Sequence, residues 1–405
     1  MMKLTHRFST MTNHLGSSAV RDILKATQGK DILSLAGGLP AEAFFPVEAV
    51  REAYERALSG GGTALQYGLT EGFLPLRERL CEQMAADGCR VQPDEMLMTT
   101  GSQQSIDLIA RIFLDPEDVI LVEAPTYLSA LQVFQSYQAV PVAVETDEHG
   151  MLPDDLEAKL LQHHPKFVYV IPTFSNPGGN VWSLERRKAV VELCRKHGVL
   201  IFEDDPYGKV KFNPDINFPS LFSIDQQYGD TGNVIYTSTF SKTVAPGVRT
   251  GWVMADTSII RTAAKAKQAS DLHSSLIDQR ALYELLGFFD LQGHIRTVSA
   301  EYHARMVKMT SLMKDRKWEG TSWIEPQGGM FIWVQMPDHV KADMLLQHAV
   351  REGVAFVPGH VFYSDGSGYN RMRVNFTHTD PDLLPEAIAR LDRAFRSYAT
   401  ASVSV

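Results

Sequence analysis

Between residues 96 and 254 the chain alternates short, continuous apolar runs with longer segments of helical periodicity, and this pattern constrains the fold more than any other feature. The spacing predicts strands over Met96–Thr99, Val119–Val122, Val140–Val144, Phe167–Ile171, Val199–Phe202, Val234–Tyr236 and Gly251–Met254. Helices are expected at Ser105–Phe113, Thr126–Ser136, Pro153–Leu161 and Ser183–Lys196. Half-exposed strands alternate apolar and polar residues; these runs do not, so their sheet is covered on both faces. Strand and helix in turn give a mainly parallel sheet with helices on both sides, the α/β class. Ligands of such sheets collect beyond the carboxyl ends of the strands. Ser102, Gln103, Tyr127, Asn176, Asp204, Tyr207 and Lys242 all fall at those ends.

The flanking segments differ. Residues 1–16 are polar and read as an arm, followed by an amphipathic helix over Ser17–Thr27 and a short strand, Ile32–Pro40, broken at Gly37-Gly38. A helix is expected over Pro46–Leu58 and another opening at Gly72, with the loop residue Tyr67 before it. Residues 257–316 are largely helical. Beyond them strands at 321–324, 329–335, 354–357 and 371–375 and helices at 340–351 and 381–398 make a smaller α+β unit. The expected layout is an N-terminal arm with part of the small domain at 1–45, a large domain at 46–295 and a small domain at 296–405. Apolar residues make up 44% and charged residues 21%, an ordinary globular composition. A net charge of −9 argues against nucleic acid or an anionic membrane as partner. No apolar run approaches the ~18 residues of a membrane span, and the first residues lack a secretory apolar core. The three cysteines fit no zinc spacing and read as free thiols of a reducing compartment, so a cytoplasmic location is expected.

Chemistry concentrates in Asn233–Gly251, where an apolar strand gives way to Thr237, Ser238, Thr239 and Ser241, then to Lys242, with Arg249 after a Pro-Gly turn. An amine at a strand end can form an imine with an aldehyde, and hydroxyls with a guanidinium can hold a phosphate on the same molecule. Pyridoxal 5'-phosphate carries both groups. The alternative is a lysine in a solvated turn. The strand–glycine–helix pattern at Gly101-Ser102-Gln103 is a second anion-binding arrangement, since free amides and the helix dipole face the ligand. Glu203-Asp204-Asp205-Pro206-Tyr207 closes another strand. Such acids can cap a helix, hold a metal or pair with a ring nitrogen, and the metal reading is the weakest because no further ligand lies at metal spacing. Asn176, in a turn of Asn-Pro and Gly-Gly dipeptides, can donate to a ring oxygen, and Tyr127 can stack on a ring. Arg373 sits inside an apolar strand and demands an anion, either a substrate carboxylate or an internal acid.

Together these segments resemble the fold-type I pyridoxal-phosphate aminotransferases, and among them the branch of 2-aminoadipate and kynurenine aminotransferases. The resemblance runs from SSAVRDILK and LSLAGGLP through LQYGLTEGFLPLR, TTGSQQSIDL, EAPTYLSAL, SNPGG, EDDPYG, STFSKTVAPGVRTGW, PQGGMFIW and AFVPGHVF to MRVNFTH. It implies a fold-type I large domain with a smaller α+β domain, bound pyridoxal 5'-phosphate, and amino transfer between an L-amino acid and a 2-oxo acid. The expected donors are 2-aminoadipate, glutamate and large apolar or aromatic amino acids, with 2-oxoglutarate as acceptor. By the same resemblance Lys242 is the Schiff-base lysine and Asp204 the partner of the ring nitrogen. Tyr207 and Asn176 hold the ring oxygen and Tyr127 stacks on the ring. Ser102, Gln103, Thr239, Ser241 and Arg249 hold the phosphate, joined by Tyr67 from a second subunit, which implies a homodimer with shared sites. Arg373, Asn176 and Gly38 bind the α-carboxylate, while Ser18 and Arg21 match a helix that contacts the substrate side chain. Two positions depart from the pattern: Gly178 replaces the usual threonine of Asn-Pro-Thr-Gly, and Thr239 stands where serine is common. A lyase or decarboxylase on the same cofactor is the first alternative. The second is the ligand-sensing module of a DNA-binding regulator, which the acidic chain and the short stretch before LSLAGG disfavour.

Overall fold

The computed structural model describes residues 7–9, 11, 12, 16, 19–27, 31–229 and 232–403. Its centre is a seven-stranded sheet. In spatial order the strands are Met96–Thr99, Gly251–Met254, Val234–Thr239, Leu200–Asp204, Phe167–Val170, Val119–Glu123 and Val140–Val144. Gly251–Met254 runs antiparallel to both neighbours and the remaining pairs are parallel. The continuous apolar runs are explained by burial on both faces. Met96, Met98, Val168, Val170, Ile201, Val234 and Tyr236 join one apolar cluster. Their neighbours Leu97, Phe167, Tyr169, Phe202 and Ile235 join the cluster on the opposite face. Side chains of a strand alternate faces, so a run filling two cores has no polar position to spare.

Several boundaries moved in ways that matter for the ends of the strands. The run starting at Val234 continues as strand to Thr239, not Tyr236, because Thr237, Ser238 and Thr239 still pair with Gly251–Val253. The helix expected at Ser105 starts at Ser102, with Gly101 as its cap at φ 75°. Residues 102–104 therefore form a first helical turn and not a loop; the Gln104 amide donates back to the Gly101 carbonyl at 3.1 Å, and the amides of Ser102 and Gln103 precede the helix's own ladder. The helix expected to open at Gly72 is Leu74–Ala86, and the long helical region resolves into Thr257–Gln268, Leu276–Phe288 and Leu291–Asp315.

A second sheet of four antiparallel strands contains Ser322–Trp323, Phe331–Gln335, Arg371–Asn375 and Val357–Pro358 in that order. It packs on a third apolar cluster with the helices Leu291–Asp315, Ala342–Arg351 and Leu384–Val403. Of the stretch 32–40 only Leu33–Ser34 is strand, paired in parallel with Val354–Ala355. That pairing carries the N-terminal segment across to Arg373, whose Nη2 donates to the Ala36 carbonyl at 2.7 Å.

One buried cation fixes the loop after Phe167–Val170. Arg187, 1% exposed, donates to the carbonyls of Trp182, Pro219 and Pro172 and to the Thr173 hydroxyl, at 2.8–3.1 Å. Removing it strips the carbonyls of Trp182 and Pro219 of this donor and leaves that of Pro172 with the Trp182 amide alone. Arg187→Leu is expected to lower unfolding stability by ~3 kcal/mol, read as a shift in urea midpoint at unchanged m-value.

Candidate active site

Strand parity sorts the three acids of Glu203-Asp204-Asp205. Glu203 shares the face of Ile201, where its two oxygens accept from the amides of Leu221 and Phe222, both at 3.0 Å, and cap a short helix. Asp205 accepts from the Gly208 amide at 2.8 Å and from the Tyr236 hydroxyl at 3.0 Å, also on that side. Asp204 falls on the other face, beside Phe202 and Tyr169. Its Oδ2 accepts from the Tyr169 hydroxyl at 2.7 Å, and its Oδ1 is buried without a partner. Burial pushes the Asp204 carboxyl up to about 7, with the Asp205 charge adding to the rise against the Tyr169 hydrogen bond. A bare carboxylate oxygen in such a place is costly unless a positive group meets it.

Asp204 lines a cavity of about 310 Å³. Lys242 enters the same cavity from the turn after Thr239, and its Nζ donates to the Gly38 carbonyl at 2.9 Å. Burial, then the charges of Arg373 and Arg249, lower its ammonium to about 8. A fraction of this amine is thus uncharged near neutral pH. Arg373, 2% exposed, donates from Nη1 to Asn176 Oδ1 at 2.6 Å and lies 4.2 Å from the Phe331 ring centroid. Its Nε has no partner, and among the described residues no carboxylate pairs with it. The arginine is thus held by neutral groups and retains its charge for a ligand, although burial lowers it to about 10.

The anion-binding features converge at one end of this cavity. Gly101, at the start of helix Ser102–Phe113, leaves room for the Arg249 guanidinium: a Cβ there would lie 2.7 Å from Arg249 Nη2. Arg249 takes a left-handed backbone, φ 44°, a conformation that costs a non-glycine residue roughly 1–2 kcal/mol. From it Nη2 donates to the Thr100 carbonyl at 3.2 Å. Thr239 Oγ1 donates to the Thr250 carbonyl at 3.0 Å, so it acts as acceptor for the Ser241 amide at 3.1 Å and for Ser241 Oγ at 2.9 Å. The helix dipole, free amides, two hydroxyls and a guanidinium form a cradle for a dianion.

Gly38, Ser102, Gln103, Tyr127, Asn176 and Tyr207 line the cavity as well, alongside Thr239, Ser241, Arg249 and Arg373. The hydroxyl of Tyr127 donates to Gln103 at 3.4 Å. Two predicted residues lie elsewhere in this chain. Tyr67 is 78% exposed, with its ring 5.7 Å from that of His273. Arg21 is exposed on helix Ala19–Thr27, whose neighbouring residue Val20 is the one at the cavity. Ser18 lies outside the described residues. Sequence reasoning missed Tyr169 and the apolar wall of Val20, Leu39 and Leu128. Tyr169 was legible as a polar residue inside an apolar strand; the wall carried no chemical signal. A larger cavity of about 400 Å³ lies on the Asp205 side and contains neither Lys242 nor Arg373. No group of three or more metal-ligating side chains occurs among the described residues.

Fold and site define a pyridoxal-phosphate enzyme of the aminotransferase type, and comparison with known proteins agrees. The family model for aminotransferase class I and II matches residues 30–391, so the chain belongs to that family. It is 38% identical over 391 residues to aromatic-amino-acid aminotransferase 1 of Thermococcus litoralis, covering 95% of this chain and 93% of that one. It is 36% identical over 392 residues to the 2-aminoadipate transaminase of Thermus thermophilus, covering 96% of each. The alpha-aminoadipate aminotransferase of Thermus thermophilus, solved with N-(5'-phosphopyridoxyl)-L-leucine, superposes at a TM-score of 0.92 with 34% identity, over 99% of this chain and all of that one. The chain is a pyridoxal-phosphate-dependent aminotransferase of the fold-type I architecture, and the lyase, decarboxylase and regulator alternatives give way to that class. The residues present fit the cofactor: the bare Asp204 Oδ1 suits a ring N–H, and the Gly101 cradle suits a phosphate.

The raised Asp204 carboxyl has a consequence for stability. Unfolded aspartate titrates near pH ~3.9, so the folded chain holds this proton through a window in which the unfolded chain has lost it. Stability from this group therefore falls as pH rises to about 7 and stays reduced above it. In cofactor-free protein, Asp204→Asn is expected to gain stability over wild type progressively between about pH 4 and pH 7 and then level off, as followed by urea melts across that range.

Proposed function

We propose that this aminotransferase moves the amino group of 2-aminoadipate, glutamate or a large apolar or aromatic L-amino acid to 2-oxoglutarate, with the residue roles that follow. The observation that carries the site assignment is the unpartnered Asp204 Oδ1 in the cavity that also holds Lys242 and Arg373. The bound cofactor supplies an electron sink for the pair left when the substrate Cα–H bond breaks. Asp204 keeps the ring nitrogen protonated, and Tyr169 orients its carboxylate. Asn176 uses Oδ1 to fix Arg373, which leaves its amide N–H group for the ring oxygen beside Tyr207. Tyr127 covers the ring face. The amides of Ser102 and Gln103 and the Arg249 guanidinium hold the phosphate, joined by the hydroxyls of Thr239 and Ser241 when these turn from the Thr250 carbonyl and from each other toward it.

Lys242 carries the cofactor between turnovers and shuttles the substrate Cα proton. Its lowered basicity suits both tasks, because an amine protonated throughout could neither attack nor accept. Arg373 clamps the α-carboxylate in a fork, with the Gly38 main chain nearby. Tyr67, exposed and outside the lining of this chain's cavity, serves the phosphate of a second copy in a homodimer. The large domain at 46–295 and the small domain at 296–405 meet over this site, since Asn176 and Arg373 come from opposite sides of that division.

Breadth of donor follows from the wall and the helix above it. Val20, Leu39 and Leu128 suit an apolar side chain. Arg21, next to Val20, meets a side-chain carboxylate when the substrate has one. The relatives that act on 2-aminoadipate and on aromatic amino acids support both halves of this range.

Two measurements test these roles. Asp204→Ala is expected to cut kcat on the order of 10³-fold, the scale of losing one preorganised electrostatic group, whereas Asp205→Ala stays within about tenfold of wild type. The reverse ranking would move the ring-nitrogen partner by one residue. In a screen of amino acids with 2-oxoglutarate, Arg21→Ala is expected to raise KM for 2-aminoadipate and glutamate about tenfold and leave leucine and phenylalanine unchanged. An equal change in both classes removes Arg21 from substrate reading.

A further inference from the structure

Lys267 takes no part in the chemistry described above, yet it is the most completely buried lysine that reaches toward the site. It is 0% exposed, on the last turn of helix Thr257–Gln268. Its three protons are all engaged. Nζ donates to Gln104 Oε1 at 2.7 Å, to Ser274 Oγ at 2.9 Å and to the Asp271 carboxylate at 2.8 Å. The Asp271 charge offsets that of Lys267, so the pair brings little net charge to its surroundings.

The partners of Lys267 converge on one residue, Thr100, immediately before the Gly101 cap. Gln104 Oε1 also accepts the Thr100 amide at 2.8 Å, and Gln104 Nε2 donates to Asp271 Oδ2 at 2.7 Å. Ser274 Oγ is 2.9 Å from Thr100 Oγ1, and Arg249 Nη2 donates to the Thr100 carbonyl. Thr100 is thus pinned at its amide, hydroxyl and carbonyl. Two of those three pins are themselves held by Lys267. The amides of Ser102 and Gln103 follow directly on the chain, and their direction depends on where Thr100 and Gly101 are set.

Ser274, which Lys267 holds, also links onward to the Tyr67 loop. The Gly68 amide donates to His273 Nε2 at 3.3 Å, which leaves the ring proton on Nδ1, 2.9 Å from the Ser274 carbonyl. That carbonyl also accepts from Gln279 Nε2, whose Oε1 accepts the Phe73 amide. One buried ammonium therefore holds two of the ties at the start of helix Ser102–Phe113 and bonds the Ser274 hydroxyl in the segment against which the Gly68–Phe73 loop is tied.

We infer that Lys267 is a positioning residue for the cofactor phosphate: through Gln104 and Ser274 it fixes Thr100–Gly101 so that the first amides of the helix and Arg249 point at one anion. This rests on the reading of that helix start as the phosphate cradle. A neutral or shorter side chain cannot replace it, because three acceptors in separate directions need three donors from one point. Charge-assisted bonds in a buried place also hold position better than neutral ones.

The test compares binding of pyridoxal 5'-phosphate with that of pyridoxal, which lacks the phosphate, to full-length protein stripped of its cofactor. In wild type the phosphate ester is expected to bind far more tightly. Lys267→Met is expected to raise its dissociation constant about tenfold while that of pyridoxal changes less than about twofold. Gln104→Leu, which leaves the contacts of Lys267 with Asp271 and Ser274 in place, is expected to show the same selective loss and serves if the lysine variant folds poorly. Equal weakening of both ligands would mean general loosening of the fold and overturn the inference, as would no weakening of either. A wild type indifferent to the phosphate would overturn the cradle itself, and with it this role, before any variant is made.

Discussion

The structure depends on keeping one carboxylate oxygen bare inside a protein. Asp204 Oδ1 has no partner, and its second oxygen has only the Tyr169 hydroxyl. Among the described residues no cation pairs with it, and burial lifts the group to about 7. The cations of the cavity are likewise held without acids: Lys242 on a carbonyl, Arg373 on an amide oxygen and a carbonyl. Internal salt bridges would be easier to bury, but they would consume the charges that a ligand with a ring nitrogen, a phosphate and a carboxylate needs. The site is an arrangement of withheld pairings.

Holding such groups apart requires rigid neighbours. The carboxylate sits at the last position of a strand whose residues 201–203 pair on both sides, and Asp204 itself pairs with Thr237. Lys242 and Arg249 belong to a turn pinned between the strands Val234–Thr239 and Gly251–Met254, where a Cβ at Gly251 would meet the Ser238 carbonyl at 2.7 Å. Arg373 comes from the other sheet, centred between Trp333 and Val357. Deep burial of all three elements explains how like charges persist in one cavity: separation is enforced by packing, and packing here is close enough that a single methyl has no room.

Much of this was legible in the residues. The unbroken apolar runs required a doubly covered sheet, and that sheet required its ligands at the carboxyl ends. Lys242, Asp204, Asn176 and Tyr127 are found lining one cavity there. The acids illustrate where legibility stops. Three carboxylates in a row look alike as letters, and only the alternation of side chains about Phe202 sends Asp204 to one face and Glu203 and Asp205 to the other. Continuing the strand pattern of Ile201 and Phe202 by two residues would have predicted that split. The helix start at Ser102 was misplaced by three residues because Gly-Ser-Gln-Gln reads as a turn by composition, whereas the antiparallel strand beside it forces the chain to turn at Gly101 alone.

By itself, the sequence determined the α/β class, the order of strands and helices, the family and the chemical types gathered at the strand ends. These follow from local periodicity and from motifs whose residues are close in the chain. Only the tertiary structure decided that Arg373 meets Asn176 across 197 positions, that Tyr169 rather than a nearer residue serves Asp204, that Tyr67 is exposed and does not line this chain's own cavity, and that Lys267 holds the start of a helix more than 160 residues earlier. Contacts between distant segments are set by how separate sheets and helices dock, and docking depends on shape and volume summed over whole faces, which no local pattern of residues records.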